Sequence, residues 1–94
     1  MDVANDFKIE EQMRKELEEA RKKVIVGGKY AHYKHPDEVS YELVEVGILE
    51  STMGVCVIYK QFKTGFLFVR TLEDFTAEVE VEGKKVKRFS YAGK

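Results

Sequence analysis

The stretch IEEQMRKELEEARKKVIVGG, residues 9–28, decides the fold class, because it carries one amphipathic helix together with its end. Apolar side chains recur at steps of four, four, three and four residues, the spacing of one narrow stripe on an α-helix: Ile9, Met13, Leu17, Ala20 and Val24. Lysines fall in the last turn and Gly27-Gly28 follow, in the order that the helix dipole and C-terminal capping favour. The sequence therefore predicts a helix over 5–26.

The predicted helix has a charged outer face. Four acid-then-base pairs lie four residues apart, and each typically contributes about 0.2–0.5 kcal/mol on a helix surface: Glu10 with Arg14, Glu11 with Lys15, Glu18 with Lys22, and Glu19 with Lys23. We expect Asn5 or Asp6 to be the N-cap. We expect the narrow stripe to dock on the domain's own sheet; the alternative is a homodimer with Met13, Leu17 and Val24 between two copies.

After Gly28 the pattern changes to short β-rich runs, which predict strands at 29–34, 41–49, 53–62 and 66–71. A turn or loop follows the first run at His35-Pro36, because proline disfavours helical backbone at the preceding residue. The alternation of the second run slips between Leu43 and Val44. This slip predicts a β-bulge or a strand buried on both faces.

Residues 77–88, AEVEVEGKKVKR, form the clearest hairpin pattern. Apolar residues alternate with glutamates, and a two-residue turn at Gly83 sets Val79 or Val81 across from Val86. The same register sets the glutamates across from lysines on the solvent face. The pairing accounts for most of this basic cluster without a ligand.

Together these elements predict a single α+β domain over 1–94, with an N-terminal amphipathic helix at 5–26, a β-rich part at 28–89 and a flexible tail at 90–94. The 94 residues, 44% hydrophobic and 35% charged, suffice for one core but not for two. One helix and about five short strands indicate a bent antiparallel sheet or a small SH3-like β-barrel.

Composition narrows the classes of partner. Sixteen Lys and Arg against 17 Asp and Glu give a net charge of -1, so no overall basic field attracts nucleic acid or anionic lipid. A single cysteine, Cys56, cannot form an internal disulfide, which indicates a reducing compartment. No apolar run resembles a signal peptide or a membrane helix. We therefore expect a cytoplasmic protein with no membrane partner, as a monomer or a homodimer.

Six short blocks follow one another in the β-rich part: YAHYK at 30–34, YELV at 41–44, VIYK at 57–60, FVRTLEDF at 68–75, EGK at 82–84 and VKRF at 86–89. In this order they resemble a short bacterial and phage family known as domain of unknown function 1653, over about residues 28–89. The helix before Gly28 lies outside the shared part. The resemblance implies a compact β-rich domain and supplies no activity.

The resemblance also nominates the positions that match the family pattern: His32, Tyr33, Lys34, Tyr59, Arg70, Phe75 and Arg88. The chain departs from that pattern in its longer loop at 35–38, where glycine commonly follows the first block. It also departs at Thr71 and Lys87, where proline is usual.

Metal and catalytic sites find little support in these residues. On an extended chain His32 and His35 point to opposite faces, so they are not expected to share a metal ion. Cys56 lies in the most apolar strand, where a cysteine is usually a core residue. The sequence has no nucleophile elbow and no phosphate-binding loop. No catalytic residue, metal or cofactor is predicted; the alternative is a small enzyme acting on nucleotides or nucleic acid with His32 as acid or base.

We therefore predict a non-enzymatic binding or accessory module. Tyr30 and His32 are suited to stacking or hydrogen bonding, and Lys34 and Arg70 to holding an anionic group, in a peptide or a single-stranded nucleic acid. The full set of candidate ligand-binding residues is Tyr30, His32, Lys34, Tyr59, Arg70 and Arg88.

Structural roles compete with this interpretation. We expect Phe66 and Phe68 to lie in the core. For the candidates on the first strand and for Arg70 both interpretations stay open, and in the structural one Arg70 pairs with an acid such as Glu73.

Overall fold

A computed structural model describes residues 3–94, with side chains from Ile9 onward. Two helices and seven strands follow one another along the chain: α1 (Val3–Lys23), β1 (Lys29–His32), β2 (Val39–Leu49), β3 (Gly54–Gln61), β4 (Leu67–Thr71), α2 (Leu72–Phe75), β5 (Glu78–Val81), β6 (Lys84–Lys87) and β7 (Phe89–Gly93). The α+β class and the N-terminal helix are confirmed. The first two residues, included in the single-domain prediction, lie outside the described part.

Helix α1 begins earlier and ends earlier than predicted. Asn5 and Asp6 already have helical backbone, so the prediction that one of them is the N-cap was wrong. At the other end the helix stops at Lys23, three residues before the predicted limit. No helix within residues 3–94 is both long and apolar enough to cross a membrane.

Five strands form one antiparallel sheet in the order β4-β3-β2-β1-β7, and β5 and β6 form a separate two-stranded sheet. Closure into a barrel would require β4 to pair with β7, and the two strands lie at opposite ends of the sheet order. The sheet is therefore open, and the SH3-like barrel alternative was wrong. The bent antiparallel sheet is the architecture that remains.

The C-terminal segment differs from the prediction. Residues 90–94 were expected to be a flexible tail, but β7 runs antiparallel to β1, with Tyr91 opposite Tyr30 and Phe89 opposite His32. The Phe89 side chain is buried and anchors this strand in the core. The segment is too short for its alternation to stand out from a disordered end.

The predicted bulge and hairpin are both confirmed. The register of β2 against β3 shifts between Leu43 and Glu45, where the apolar alternation slips. In the hairpin Val79 lies opposite Val86, and the flanking pairs join a glutamate to a lysine. Local patterning therefore specifies these two features.

The core lies between the C-terminal half of α1 and one face of the sheet. Ala20 and Val24 are fully or nearly fully buried against Leu43, Val46 and Val57. Burial of a valine side chain such as Val24 typically contributes about 1.5–3 kcal/mol. Val24 therefore packs on the chain's own sheet, the docking expected from the sequence, and not between two copies as in the alternative.

The linker between α1 and β1 is fixed by backbone bonds to β2. The Gly27 N–H donates to the Leu43 carbonyl at 2.8 Å, and the Leu43 N–H donates to the Gly28 carbonyl at 2.8 Å. Gly27 has φ +81°, which favours glycine. At Gly28 an added Cβ would lie 2.8 Å from the Ile25 carbonyl oxygen, so only glycine fits without a shift.

Candidate functional site

Arg70 lies at the centre of a polar cluster on the core side of the sheet. Its position on β4 is opposite Val57 of β3. Its Nε donates to the Tyr59 hydroxyl at 2.9 Å, and its Nη1 donates to Oδ2 of Asp74. Although partial burial opposes the charge, these hydrogen bonds raise the pKa of Arg70 above its ordinary value. Arg70 is thus held as a fixed cation.

Asp74 binds a second arginine as well. The Arg88 Nε donates to the Asp74 backbone carbonyl at 3.1 Å, and Arg88 Nη2 lies 3.6 Å from Asp74 Oδ1. Thr71 orients this residue, because its Oγ1 accepts the Asp74 N–H and caps α2. One carboxylate therefore faces two guanidinium groups; we call Arg70, Asp74 and Arg88 the arginine clamp.

The arginine clamp lies against an aromatic cluster. Phe75 and Phe89 are stacked with ring centroids 4.3 Å apart, and the Tyr59 ring lies 5.3 Å from Phe89. The Arg70 Cζ lies 5.8 Å from the centre of the Phe89 ring, within the range of a cation–π contact. These contacts fix the position of the Arg70 guanidinium.

His32 lies beside this cluster at the end of β1. Its ring makes an edge-on contact with Phe89 at 5.1 Å, and its Nδ1 accepts the Lys34 N–H at 3.2 Å. Partial burial, followed by the positive charges of Arg70, Lys34 and Arg88, lowers the pKa of His32 below its ordinary value. The neutral imidazole with its proton on Nε2 fits both observations.

A groove of about 530 Å³ opens next to His32, between the turn after β1 and the β3–β4 turn. Its lining includes a single acid, Glu38, together with two lysines, two histidines and two aromatic rings. These are Lys34 and Lys63, His32 and His35, and Tyr41 and Phe62. We call this the basic groove. It combines positive charge with aromatic surface in a protein whose net charge is -1.

The structure separates the predicted ligand-binding residues into three groups. His32 and Lys34 line the basic groove, and Arg70 and Arg88 form the arginine clamp, which is not part of the groove lining. Tyr30 and Tyr59 are buried in the core, with Tyr30 accepting the Ile25 N–H at 3.0 Å. The two tyrosine rings are therefore not accessible for stacking on a ligand.

The histidines line one groove, and the expectation about the phenylalanines was wrong. His32 and His35 both line the basic groove, because β1 ends at His32 and the chain turns at residues 33–37, two residues earlier than predicted. Phe66 and Phe68, expected in the core, are exposed on the sheet edge. Arg70 does pair with an acid, as the structural alternative proposed, and the partner is Asp74.

Several residues of the site were not predicted from the sequence. Asp74 carries a usable signal, since it follows Arg70 by four residues, the spacing of ion pairs on a helix. Phe62 and Lys63 reach the basic groove through the β3–β4 turn, a meeting that no local pattern indicates. In the described part of the chain no three His, Cys, Asp or Glu side chains are grouped so that they could hold a metal ion.

The region that forms the sheet and the site also carries the match to known proteins. A family model described as "Protein of unknown function (DUF1653)" matches residues 28–91. The chain belongs to the DUF1653 family. Searches of curated proteins and of solved structures found no match. The DUF1653 match begins at Gly28, so it includes the arginine clamp and the basic groove and leaves out α1.

Proposed function

We propose that this DUF1653 domain is a non-enzymatic binding module that takes single-stranded nucleic acid along the basic groove. One observation carries the proposal: Lys34, Lys63 and the exposed Phe62 ring line the same groove. Lysines contact phosphates, and exposed aromatic rings stack on bases; single-strand binders combine these two features.

The charge balance of the groove supports this ligand over an acidic peptide. Its two lysines face one acid, Glu38, while Tyr41, partly buried against the core, adds the edge of a second ring. A peptide carboxylate would bind the lysines and leave the aromatic rings without a partner. A nucleotide binds the lysines through its phosphate and stacks its base on a ring. The volume of about 530 Å³ falls within the range of about 300–1,000 Å³ typical of ligand sites.

His32 connects the groove to the arginine clamp. Its imidazole lines the groove, and the positive charges of Arg70 and Arg88 act on it. The same charges attract a phosphate that reaches the groove. In this proposal the arginines contribute to the positive potential, while Lys34 and the Nε2–H of His32 make the direct contacts.

The first test is a titration of the isotope-labelled protein with a short, mixed-sequence single-stranded RNA at low salt, followed by amide NMR. We expect shifts confined to residues around His32, Lys34 and Lys63, with affinity falling as salt rises. Unmoved spectra would refute the proposal. Shifts produced only by an acidic peptide would assign the groove to a protein partner instead.

Matched variants make the titration specific. Lys34→Gln and Lys63→Gln each remove one phosphate contact, so each lowers the slope of log affinity against log salt by about 0.7. Lys94→Gln removes the same charge at an exposed position outside the groove, and we expect its affinity to match that of the unaltered protein. Equal losses in all three variants would contradict a localised site.

The enzyme alternative gains no support from the site. The Nδ1 lone pair of His32 already accepts the Lys34 N–H, so this nitrogen is occupied and is not free to act as a base. A cytoplasmic location is also part of the proposal. The single thiol, Cys56, is buried and unpaired, in keeping with a reducing compartment.

A further inference from the structure

The edge strand β4 and the residue before it expose apolar side chains on both faces of the sheet. Phe66, Leu67, Phe68 and Val69 are 62%, 60%, 40% and 59% exposed. Edge strands of monomeric proteins usually carry a charge, a proline or a bulge that prevents pairing with another chain. None of these interrupts residues 66–69, and β4 pairs with β3 in regular register.

The backbone of β4 shows which groups face the free edge. The Phe66 carbonyl accepts the Gln61 N–H at 2.9 Å, so this carbonyl points toward β3, while the Phe66 N–H donates to Thr64 Oγ1 in the β3–β4 turn at 3.1 Å. Since successive residues of a strand point their backbone groups to opposite sides, the N–H and C=O of Phe68 also point toward β3. The N–H and C=O of Leu67 and Val69 therefore point outward, where the described part of the sheet ends.

We propose that β4 pairs with β4 of a second copy of this chain, antiparallel about a twofold axis at Phe68. In this register Leu67 lies opposite Val69 of the second copy, and Val69 lies opposite Leu67 of the second copy. Each such pair exchanges two backbone hydrogen bonds, so the twofold axis produces four. The outward-facing backbone N–H and C=O groups of β4 thus find hydrogen-bond partners on β4 of the second copy.

Side chains in this register are complementary on both faces of the joined sheet. On one face the two Phe68 rings lie next to each other. On the other, Leu67 and Val69 extend the apolar surface of Ile58, which lies opposite Val69 in the β3–β4 pairing. The only charged residue of β4, Arg70, falls opposite Phe66 of the second copy, so the register sets no like charges against each other.

A charge-swap pair of double variants tests both the dimer and its register. Leu67→Lys with Val69→Lys sets lysine opposite lysine twice across the interface. Leu67→Lys with Val69→Glu sets lysine opposite glutamate twice. Both positions are exposed in the single chain, so both variants should fold. Sedimentation velocity over a concentration series measures the dimer. We expect a dimer for the unaltered protein and for the Lys/Glu variant. For the Lys/Lys variant we expect a dimer dissociation constant at least about tenfold higher than that of the Lys/Glu variant.

A cross-linking experiment measures the register directly. At Phe68 the twofold pair is not hydrogen-bonded, with Cα atoms about 4.5 Å apart, within the range of a disulfide. Phe68→Cys should therefore cross-link on mild oxidation, whereas Phe66→Cys, which faces Arg70 of the second copy, should not. Buried Cys56 does not compete. A monomer at every concentration, equal behaviour of the two double variants, or cross-linking of Phe66→Cys alone would overturn the proposal.

Discussion

Neutralising Asp74 should weaken the fold and strengthen RNA binding at the same time. In the arginine clamp the Asp74 carboxylate accepts from Arg70 and lies 3.6 Å from Arg88 Nη2. Asp74→Asn keeps the shape of the side chain and removes the negative charge. Both guanidinium groups then lose their counter-charge, while the positive potential beside His32 increases.

The expected loss of stability is modest. The Asp74 side chain is 44% exposed, and those of Arg70 and Arg88 are 32% and 23% exposed, so solvent screens both pairs. Partly exposed ion pairs typically contribute about 0–1 kcal/mol each, and the amide oxygen retains one hydrogen bond. We expect a loss of about 1 kcal/mol, which lowers Tm by about 4–8 °C in a domain of this size.

The expected gain in affinity follows from Coulomb's law. If the phosphate binds about 8 Å from Asp74, removal of this negative charge changes their interaction by about 0.5 kcal/mol in water, or about twofold to threefold in affinity. Thermal unfolding and fluorescence anisotropy with a labelled single-stranded RNA at low salt measure the two effects. A clamp that served only the fold would show the stability loss with unchanged affinity.

Glu73→Gln supplies the matched control for the stability effect. Glu73 is exposed, adjacent in sequence and equal in charge, and the described residues place no ion pair on it. We expect its unfolding free energy to stay within about 0.5 kcal/mol of the unaltered protein. Equal destabilisation by Asp74→Asn and Glu73→Gln, or weaker RNA binding by Asp74→Asn, would refute the reasoning.

Three further outcomes are expected. Tyr30→Phe leaves the Ile25 N–H without its hydrogen-bond partner at 3.0 Å, so it should lower the unfolding free energy in urea by about 1–2 kcal/mol and leave RNA affinity unchanged. Tyr91→Phe, at a half-exposed ring, is the control and should leave the unfolding free energy unchanged. Gly28→Ala places a Cβ 2.8 Å from the Ile25 carbonyl and 2.9 Å from Tyr91 Cε1, so it should lower the unfolding free energy by about 1–3 kcal/mol; an unchanged denaturant midpoint would contradict the packing. The pKa of His32 is lowered in the folded protein, so the unfolded chain binds more protons near pH 6. The unfolding free energy should therefore fall as pH drops through the ordinary histidine range of about 6.5. His32→Gln should flatten that part of the stability–pH profile.

Local patterns predicted the parts of this fold that local chemistry determines. The stripe on α1, the bulge after Leu43 and the Val79–Val86 register each depend on residues close in sequence. The pairing of β7 with β1 depends on contacts between residues about sixty positions apart, such as Tyr30 and Tyr91. Nothing near Tyr91 in the sequence indicates that partner.

Exposure of the β4 residues was missed for a related reason. An apolar run such as residues 66–69 is normally buried, and sequence alone does not show whether a strand lies at the centre or the edge of a sheet. Position in the sheet order, which only the complete topology determines, leaves Phe66 and Phe68 exposed. His35 reaches the groove of His32 because the chain turns at residues 33–37, two residues earlier than the turn predicted at His35-Pro36.

The positions that the sequence resemblance nominates include two physical classes of side chain. Tyr59, Phe75, Arg70 and Arg88 contact one another or share Asp74, so the packing of α2 on the sheet accounts for them without a ligand. Contacts of this kind stabilise the fold and give weak support for a binding role.

Lys34 belongs to the other class. Its side chain is exposed in the basic groove, and among the described residues no ion pair holds its ammonium group. Since the fold draws little stabilisation from this side chain, its removal tests the proposed binding role without disturbing the fold. Lys34→Gln should therefore lower RNA affinity with Tm unchanged, and Phe75→Ala should lose about 3–5 kcal/mol of stability. If Lys34→Gln lowered Tm as well, the lysine would belong to the fold, and the case for the groove would rest on Lys63 and Phe62 alone.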